Sequence, residues 1–281
     1  MVSKFVQPCG DVTTQLNFYS APTDGQKPFD YVDSPPPGQP QRNYSDDPNE
    51  VVIRDIRGRE NDFTLDRDAF QILQSLGPFP RIQITEEAIK EIYYPEIEKL
   101  LLSTVPGSHQ VIIFDHTYRK ADPAAHRTPV QKAHIDQTAA SVEKRIRMYL
   151  PDEADQLLQR RYRLINVWRP LNKMPVESFP LAFASTSSLE DHDFVPVRHH
   201  HQDGYIGETA SIKYNPGQNW YYLSGMTDSE CVLLECFDSE SLKADSTIGG
   251  RVPHTAFPDP RTRPGAVPRE SIEVRTLVFG P

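Results

Sequence analysis

From residue 110 onward, apolar and polar positions mostly alternate. The runs QVIIFDHTYRK (110–120), YRLINVWRPL (162–171), PLAFAST (180–186), TASIKYN (209–215), NWYYLSG (219–225), CVLLECF (231–237) and SIEVRTLVF (271–279) are rich in β-branched and aromatic residues. Pro, Gly, Asn and Asp separate them, which predicts a series of strands. Upstream, TEEAIKEIYYPEIEKLLLS (85–103) repeats its apolar positions at helical spacing, with Pro95 expected to kink the helix. TLDRDAF (64–70) reads as a helix start with Thr64 as cap and Asp66 in the first turn. TTQLNFY (13–19) and VVIRDIRG (51–58) are strand-like, while SPPPGQPQ (34–41) is too stiff and too poor in donors for a central strand and reads as a surface arm. Many β-runs after two or three helices predict a mostly β barrel or sandwich with flanking α-helices, whose interior suits a small ligand.

No internal repeat divides the chain. A single domain over 1–281 is expected, with residues 1–60 as an N-terminal extension packing on it and about 100–281 carrying the catalytic core. At 281 residues, 37% of them hydrophobic, the chain is long enough to bury a full core. A net charge of −9 without a concentrated basic face argues against a nucleic-acid partner. No stretch approaches the roughly 18 apolar residues of a membrane span. The three cysteines, Cys9, Cys231 and Cys236, lack metal-knuckle spacing, and no secretory signal is evident, so a cytoplasmic location is expected. Cys231 and Cys236 read as packed thiols. A monomer or homodimer acting on a small molecule fits this composition.

The candidate chemistry starts in QKAHIDQTAA (131–140). Residues i and i+2 of a strand project to one side, so His134 and Asp136 face one cavity while Ala133 and Ile135 face away. An imidazole beside a carboxylate offers two ligands to a divalent metal, and His254 in RVPHTAFPDP is the best third. Two histidines and a carboxylate make a facial triad that leaves open coordination positions. The bland alternative is a capped turn or a core histidine bonded to Asp136. The last strand weighs toward function: Arg269, Ser271, Glu273 and Arg275 share one face, and Ile272, Val274 and Val278 the other. Such a polar face suits a dicarboxylate, with an arginine fork on its distal carboxylate and a serine hydroxyl two residues along.

The set RTPVQKAHIDQTAAS, LINVWRPL, PLAFAS, WYYLSGMTDSE, PHTAF and PRESIEVRTLVF resembles the fungal gibberellin-desaturase-like family, which includes aspergillic-acid-type hydroxylases and proteins named for cephamycin methoxylation. The likeness covers roughly residues 100–281. It implies a double-stranded β-helix (jelly-roll, cupin-like) fold and an Fe(II)- and 2-oxoglutarate-dependent dioxygenase of secondary metabolism. Such an enzyme consumes O2 and hydroxylates, desaturates or cyclises a small molecule. By that resemblance His134, Asp136 and His254 fall on the iron ligands, and Arg269 and Ser271 on the 2-oxoglutarate pattern, with Arg275 a rival to Arg269.

Other residues carry paired readings. Asn166, Trp168 and Arg169 are candidates for the substrate cavity, against a core tryptophan and a structural ion pair. Tyr118 shares a strand face with His116 and Lys120, either in a substrate pocket or at a solvated rim. His199, His200 and His201 read as an exposed loop, because consecutive residues cannot easily ligate one ion. The loop 257–271 either closes over the site or is a rigid connector. Two other functions use the same triad: a zinc-dependent hydrolase, and a cupin-like protein that binds without catalysis.

Overall fold

The computed structural model describes residues 7–80 and 82–280. Two β-sheets face each other. The larger has nine strands, in the order Val12–Ser20, Ser45–Asp55, Trp220–Tyr222, Leu181–Ala184, His254–Ala256, His134–Ile135, Ile206–Ile212, Phe194–His200 and Phe29–Tyr31. The smaller has five, Phe70–Leu73, Cys231–Asp238, Tyr162–Pro170, Glu270–Phe279 and Gln110–Lys120, all antiparallel. Strands adjacent in space come from distant parts of the chain, which is the jelly-roll, double-stranded β-helix arrangement. The strands of residues 12–55 form both edges of the larger sheet, and SPPPGQPQ runs outside any strand.

Alternation decides which side chains meet between the sheets. Along Tyr162–Pro170, Leu164, Asn166 and Trp168 point inward, whereas Ile165 and Val167 pack against the helix Tyr94–Thr104 on the outside. Glu270–Phe279 obeys the same rule, with Ile272, Val274 and Val278 in the outer cluster and Leu277 and Phe279 in the inner one. Gln110–Lys120 breaks it. Arg275 pairs with Asp115 and Thr276 with Ile113, so Phe114 is an extra residue, a β-bulge. Beyond the bulge the inward positions become Asp115, Thr117 and Arg119.

Three local details differ from the expected pattern. The helix at Thr64 is a single turn, Leu65–Asp68, because Asp68 turns its carboxylate back onto the Thr64 N–H at 3.0 Å and the Thr64 hydroxyl makes no cap bond. Ahead of Pro95 the helix widens into a π-turn, Ile89–Tyr93, where a proline without an N–H disturbs regular pairing. A further helix, Ala139–Tyr149, follows Asp136 directly, capped by the Thr138 side chain accepting the Ser141 N–H.

Candidate active site

The triad is assembled across two paired strands. His254 and His134 are direct partners in the antiparallel ladder, and their rings lie 4.5 Å apart between centroids. Asp136 follows two residues after His134, and the ligand atoms of His134, Asp136 and His254 all lie within 4.8 Å of one another.

The hydrogen bonds fix which atoms face the centre. His134 Nδ1 donates to the Lys132 carbonyl at 2.8 Å and His254 Nδ1 to the Val252 carbonyl at 3.3 Å. A carbonyl only accepts, so each ring carries its proton on Nδ1 and aims the Nε2 lone pair inward. Asp136 Oδ2 takes an N–H from Asn166 at 2.9 Å and another from Arg275 at 2.7 Å, which leaves Oδ1 for the centre. Oδ1 then lies 3.2 Å from His134 Nε2 and 3.9 Å from His254 Nε2. Two lone pairs and a carboxylate oxygen directed at one point repel each other unless a cation lies between them. The donor set therefore fits a divalent metal.

Charges behind the triad hold it in that form. Burial alone pushes the Asp136 pKa up, but Arg275, with His134 and His254, brings it well below the ordinary carboxylate range. Burial, aided by His134, holds His254 below its ordinary value, keeping it neutral and able to ligate. Arg275 binds three carboxylates, Asp136, Asp115 at 2.9 Å and Glu273 at 3.0 Å, as well as the Thr117 hydroxyl at 2.8 Å. Asn166 joins Asp136 to Glu273, donating to the latter at 3.0 Å.

Two cavities open onto His134. The smaller is lined by His254, Trp168, Glu273, Arg269 and Arg119. Arg269 is 2% exposed, places its guanidinium over the Trp168 ring at 5.5 Å, and donates through Nη1 to the Phe179 carbonyl. Its Nε has no partner among the described residues. Burial, then the nearby Arg119, pulls its pKa down to about 9, with Glu273 opposing. A buried guanidinium with an unused donor beside a metal triad fits an acidic cosubstrate. The larger cavity, 450 Å³, is lined by His134 and Asp136 together with Arg119, Lys132, His199 and His201.

Comparison with known proteins adds to this geometry. Residues 16–279 match the family model described as "Oxidoreductase/YMDC permease-like domain". The hydroxylase/desaturase poxK of Penicillium oxalicum is 38% identical, covering 97% of this chain and 92% of its own length. The Fe(II)/2-oxoglutarate-dependent dioxygenase nvfI of Aspergillus novofumigatus is 31% identical, covering 98% and 95%. A solved structure of the iron and alpha-ketoglutarate-dependent endoperoxidase NvfI matches with a TM-score of 0.85 at 28% identity, over 96% of this chain and 98% of that one. The chain belongs to this family of Fe(II)/2-oxoglutarate-dependent oxygenases.

Within this oxygenase fold, the expected site residues divide. His134, Asp136 and His254 converge, and Arg269, Trp168 and Asn166 lie beside them, Trp168 in the smaller cavity and Asn166 as a bridge between carboxylates. Ser271 is buried on the inward face of the last strand. Arg275 is occupied by carboxylates rather than open to a ligand. Arg169 points outward to the Gly77 and Asp228 carbonyls, because its strand parity sets it with Ile165 and Val167. Tyr118 also falls outside, on the face where His116 meets the Tyr94 hydroxyl at 2.8 Å, since the Phe114 bulge reverses the alternation.

The histidine run differs from the exposed loop expected of it. His199 and His200 end the strand Phe194–His200, paired with Ile206–Ile212 on one side and Phe29–Tyr31 on the other. His199 and His201 consequently face the larger cavity, and His200 packs on Tyr31 at 5.2 Å. Arg119 and Lys132 were missed as cavity residues. Lys132 sits two positions before His134 on the same side, a spacing that pointed to it; Arg119 was hidden by the bulge.

Proposed function

We propose that this chain oxidises a C–H bond of a small secondary-metabolite intermediate, with His134, Asp136 and His254 holding ferrous iron and Arg269 holding the distal carboxylate of 2-oxoglutarate. The observation that carries this reading is the convergence of the two Nε2 lone pairs and the free Asp136 oxygen next to a buried, incompletely paired arginine. Iron bound there would supply activation of O2, with 2-oxoglutarate consumed to succinate and carbon dioxide.

The protein's own contribution is placement. Arg275 and Asn166 keep Asp136 ionised and turned inward, the Lys132 and Val252 carbonyls keep both imidazoles in the ligating tautomer, and Trp168 lines the smaller cavity against the Arg269 guanidinium. Ser271, two residues after Arg269, is assigned the second bond to the cosubstrate carboxylate. Arg275 is favoured less than Arg269 for that carboxylate, because all three of its nitrogens already bond to side-chain oxygens. Three cysteines without a disulfide support a reducing, cytoplasmic setting. A zinc hydrolase would need a free base beside the metal, and the adjacent carboxylate of Glu273 is engaged by Asn166 and Arg275.

Anaerobic addition of ferrous iron and 2-oxoglutarate to the purified protein tests this. The weak visible metal-to-ligand charge-transfer band is expected, followed by succinate when O2 is admitted. A protein that hydrolyses esters with zinc and forms neither band nor succinate would overturn the reading.

A further inference from the structure

The walls of the 450 Å³ cavity carry more positive than negative groups, although the chain as a whole has a net charge of −9. Its acids are already engaged. Asp30 accepts the Tyr44 hydroxyl at 3.2 Å, Asp115 and Asp136 accept from Arg275, and Glu208 accepts the Thr138 hydroxyl. Most of its cations are engaged too. Arg42 pairs with Asp46 at 2.9 Å, Arg145 donates to Gln137 at 3.0 Å, and the Lys132 ammonium, which makes no hydrogen bond among the described residues, lies 3.8 Å from Asp46 and 3.5 Å from the Tyr44 ring centroid.

Three of the cavity's arginines have no ion pair among the described residues, Arg119, Arg127 and Arg145; Arg145 donates to Gln137 and lies over the Phe114 ring at 4.5 Å, which leaves Arg119 and Arg127. Arg119 gives one N–H to the Thr128 carbonyl at 3.0 Å, and neither it nor Arg127 has a carboxylate within ion-pair distance among the described residues. They are neighbours by construction, since the Lys120 N–H bonds to the Arg127 carbonyl at 3.1 Å and so lays residues 127–128 against the end of the strand that carries Arg119. Burial lowers the Arg119 pKa, the mark of a cation taken from water without full compensation. Both arginines line the cavity that His134 and Asp136 also line; Arg269 does not line it, Arg127 lines this cavity and not the smaller one, and Arg119 stands between the two.

We propose that the substrate is an acid, a small molecule whose carboxylate docks on Arg119 and Arg127 while the rest of it lies against the metal triad. Two guanidinium groups suit a carboxylate because each offers parallel N–H donors matched to its two oxygens. An acid anchored there has a fixed distance from its carboxylate to the carbon presented at the triad, so Arg119 and Arg127 select both the substrate and the position oxidised. Tyr205 and His201 also line the cavity, their rings 5.3 Å apart, and offer an aromatic surface to the substrate body. This inference rests on the oxygenase reading above.

The test uses the full-length protein loaded anaerobically with ferrous iron and 2-oxoglutarate, with the charge-transfer band as loading control. Benzoate and its neutral counterpart benzamide are then titrated by calorimetry. Benzoate is expected to bind at least about tenfold more tightly, the value of one charge-assisted hydrogen bond. Arg119→Met and Arg127→Met should each shrink that ratio, and Arg127→Met, whose residue does not line the smaller cavity, should leave the band intact. Arg127 is exposed, so its variant stands even if that of the half-buried Arg119, Arg119→Met, fails to fold. Equal binding of the two probes, or no binding of benzoate to the loaded protein, overturns the acid alone. Loss of the band in a folded Arg119→Met protein overturns it as well, by assigning that arginine to 2-oxoglutarate. Failure of the parent protein to form the band overturns the oxygenase reading, and the acid with it.

Discussion

Replacing Arg269 by methionine should make the cosubstrate-free protein more stable while removing its affinity for 2-oxoglutarate. The guanidinium is almost wholly buried, and its pKa falls from the ordinary 12.5 to about 9. That drop corresponds to roughly 5 kcal/mol of unfavourable burial and repulsion from Arg119, net of the attraction of Glu273. Below pH 9 the group is charged in the folded and the unfolded chain alike, so the penalty is fully present at pH 7 and is relieved only as pH rises past about 9. Against it stand the bond to the Phe179 carbonyl, about 1–3 kcal/mol, and the contact with Trp168, about 0.5–2 kcal/mol. The net expectation is a gain of up to about 3.5 kcal/mol, read as a melting temperature raised by about 2–4 °C per kcal/mol. Calorimetric titration should show 2-oxoglutarate binding weakened about 100-fold or more, from the loss of a two-pronged charge-assisted pair. A variant that melts below the parent and binds 2-oxoglutarate within a factor of about two would refute this, and would make Arg269 a structural cation.

Arg275→Met should behave in the opposite way. It strands the buried carboxylates of Asp136 and Glu273, so stability should fall by about 3–5 kcal/mol and metal affinity by about 10–100-fold; an unchanged melting temperature with unchanged metal binding would contradict the role given to it. Glu235 is fully buried with neither carboxylate oxygen paired among the described residues, and burial raises its pKa well above the ordinary value. An acid whose folded pKa is raised contributes fully below its unfolded pKa, near about 4.3, and loses stability as pH rises above that at up to about 1.4 kcal/mol per pH unit. Thermal melts of Glu235→Gln should match the parent near pH 4 and exceed it increasingly toward pH 8; parallel curves would exclude this.

The sequence exposed the triad because the two ligands nearest in the chain share a two-residue spacing, which a strand turns into proximity without tertiary help. His254 required a long-range ladder, yet its place before a final strand of divided polarity was enough to single it out. Trp168 and Asn166 were readable from the same alternation that put Arg169 on the opposite face, so assigning all three to one cavity conflicted with strand geometry. Tyr118 failed for a different reason. The bulge at Phe114 depends on how two strands pair, and a residue string carries no mark of it. His199 and His201 were missed because polar, charge-rich sequence resembles a loop, whereas pairing on both sides makes that segment a strand with a cavity face. The helix Ala139–Tyr149 was not among the expected elements, although Thr138 as a cap and the spacing of Val142 and Ile146 mark it.

The most direct test is a crystal structure grown anaerobically with manganese in place of iron and with 2-oxoglutarate. The account predicts one metal ion bonded to His134 Nε2, His254 Nε2 and an Asp136 carboxylate oxygen, with the distal carboxylate of 2-oxoglutarate on Arg269. A metal held instead by His199 and His201, or 2-oxoglutarate bound away from Arg269, would contradict it.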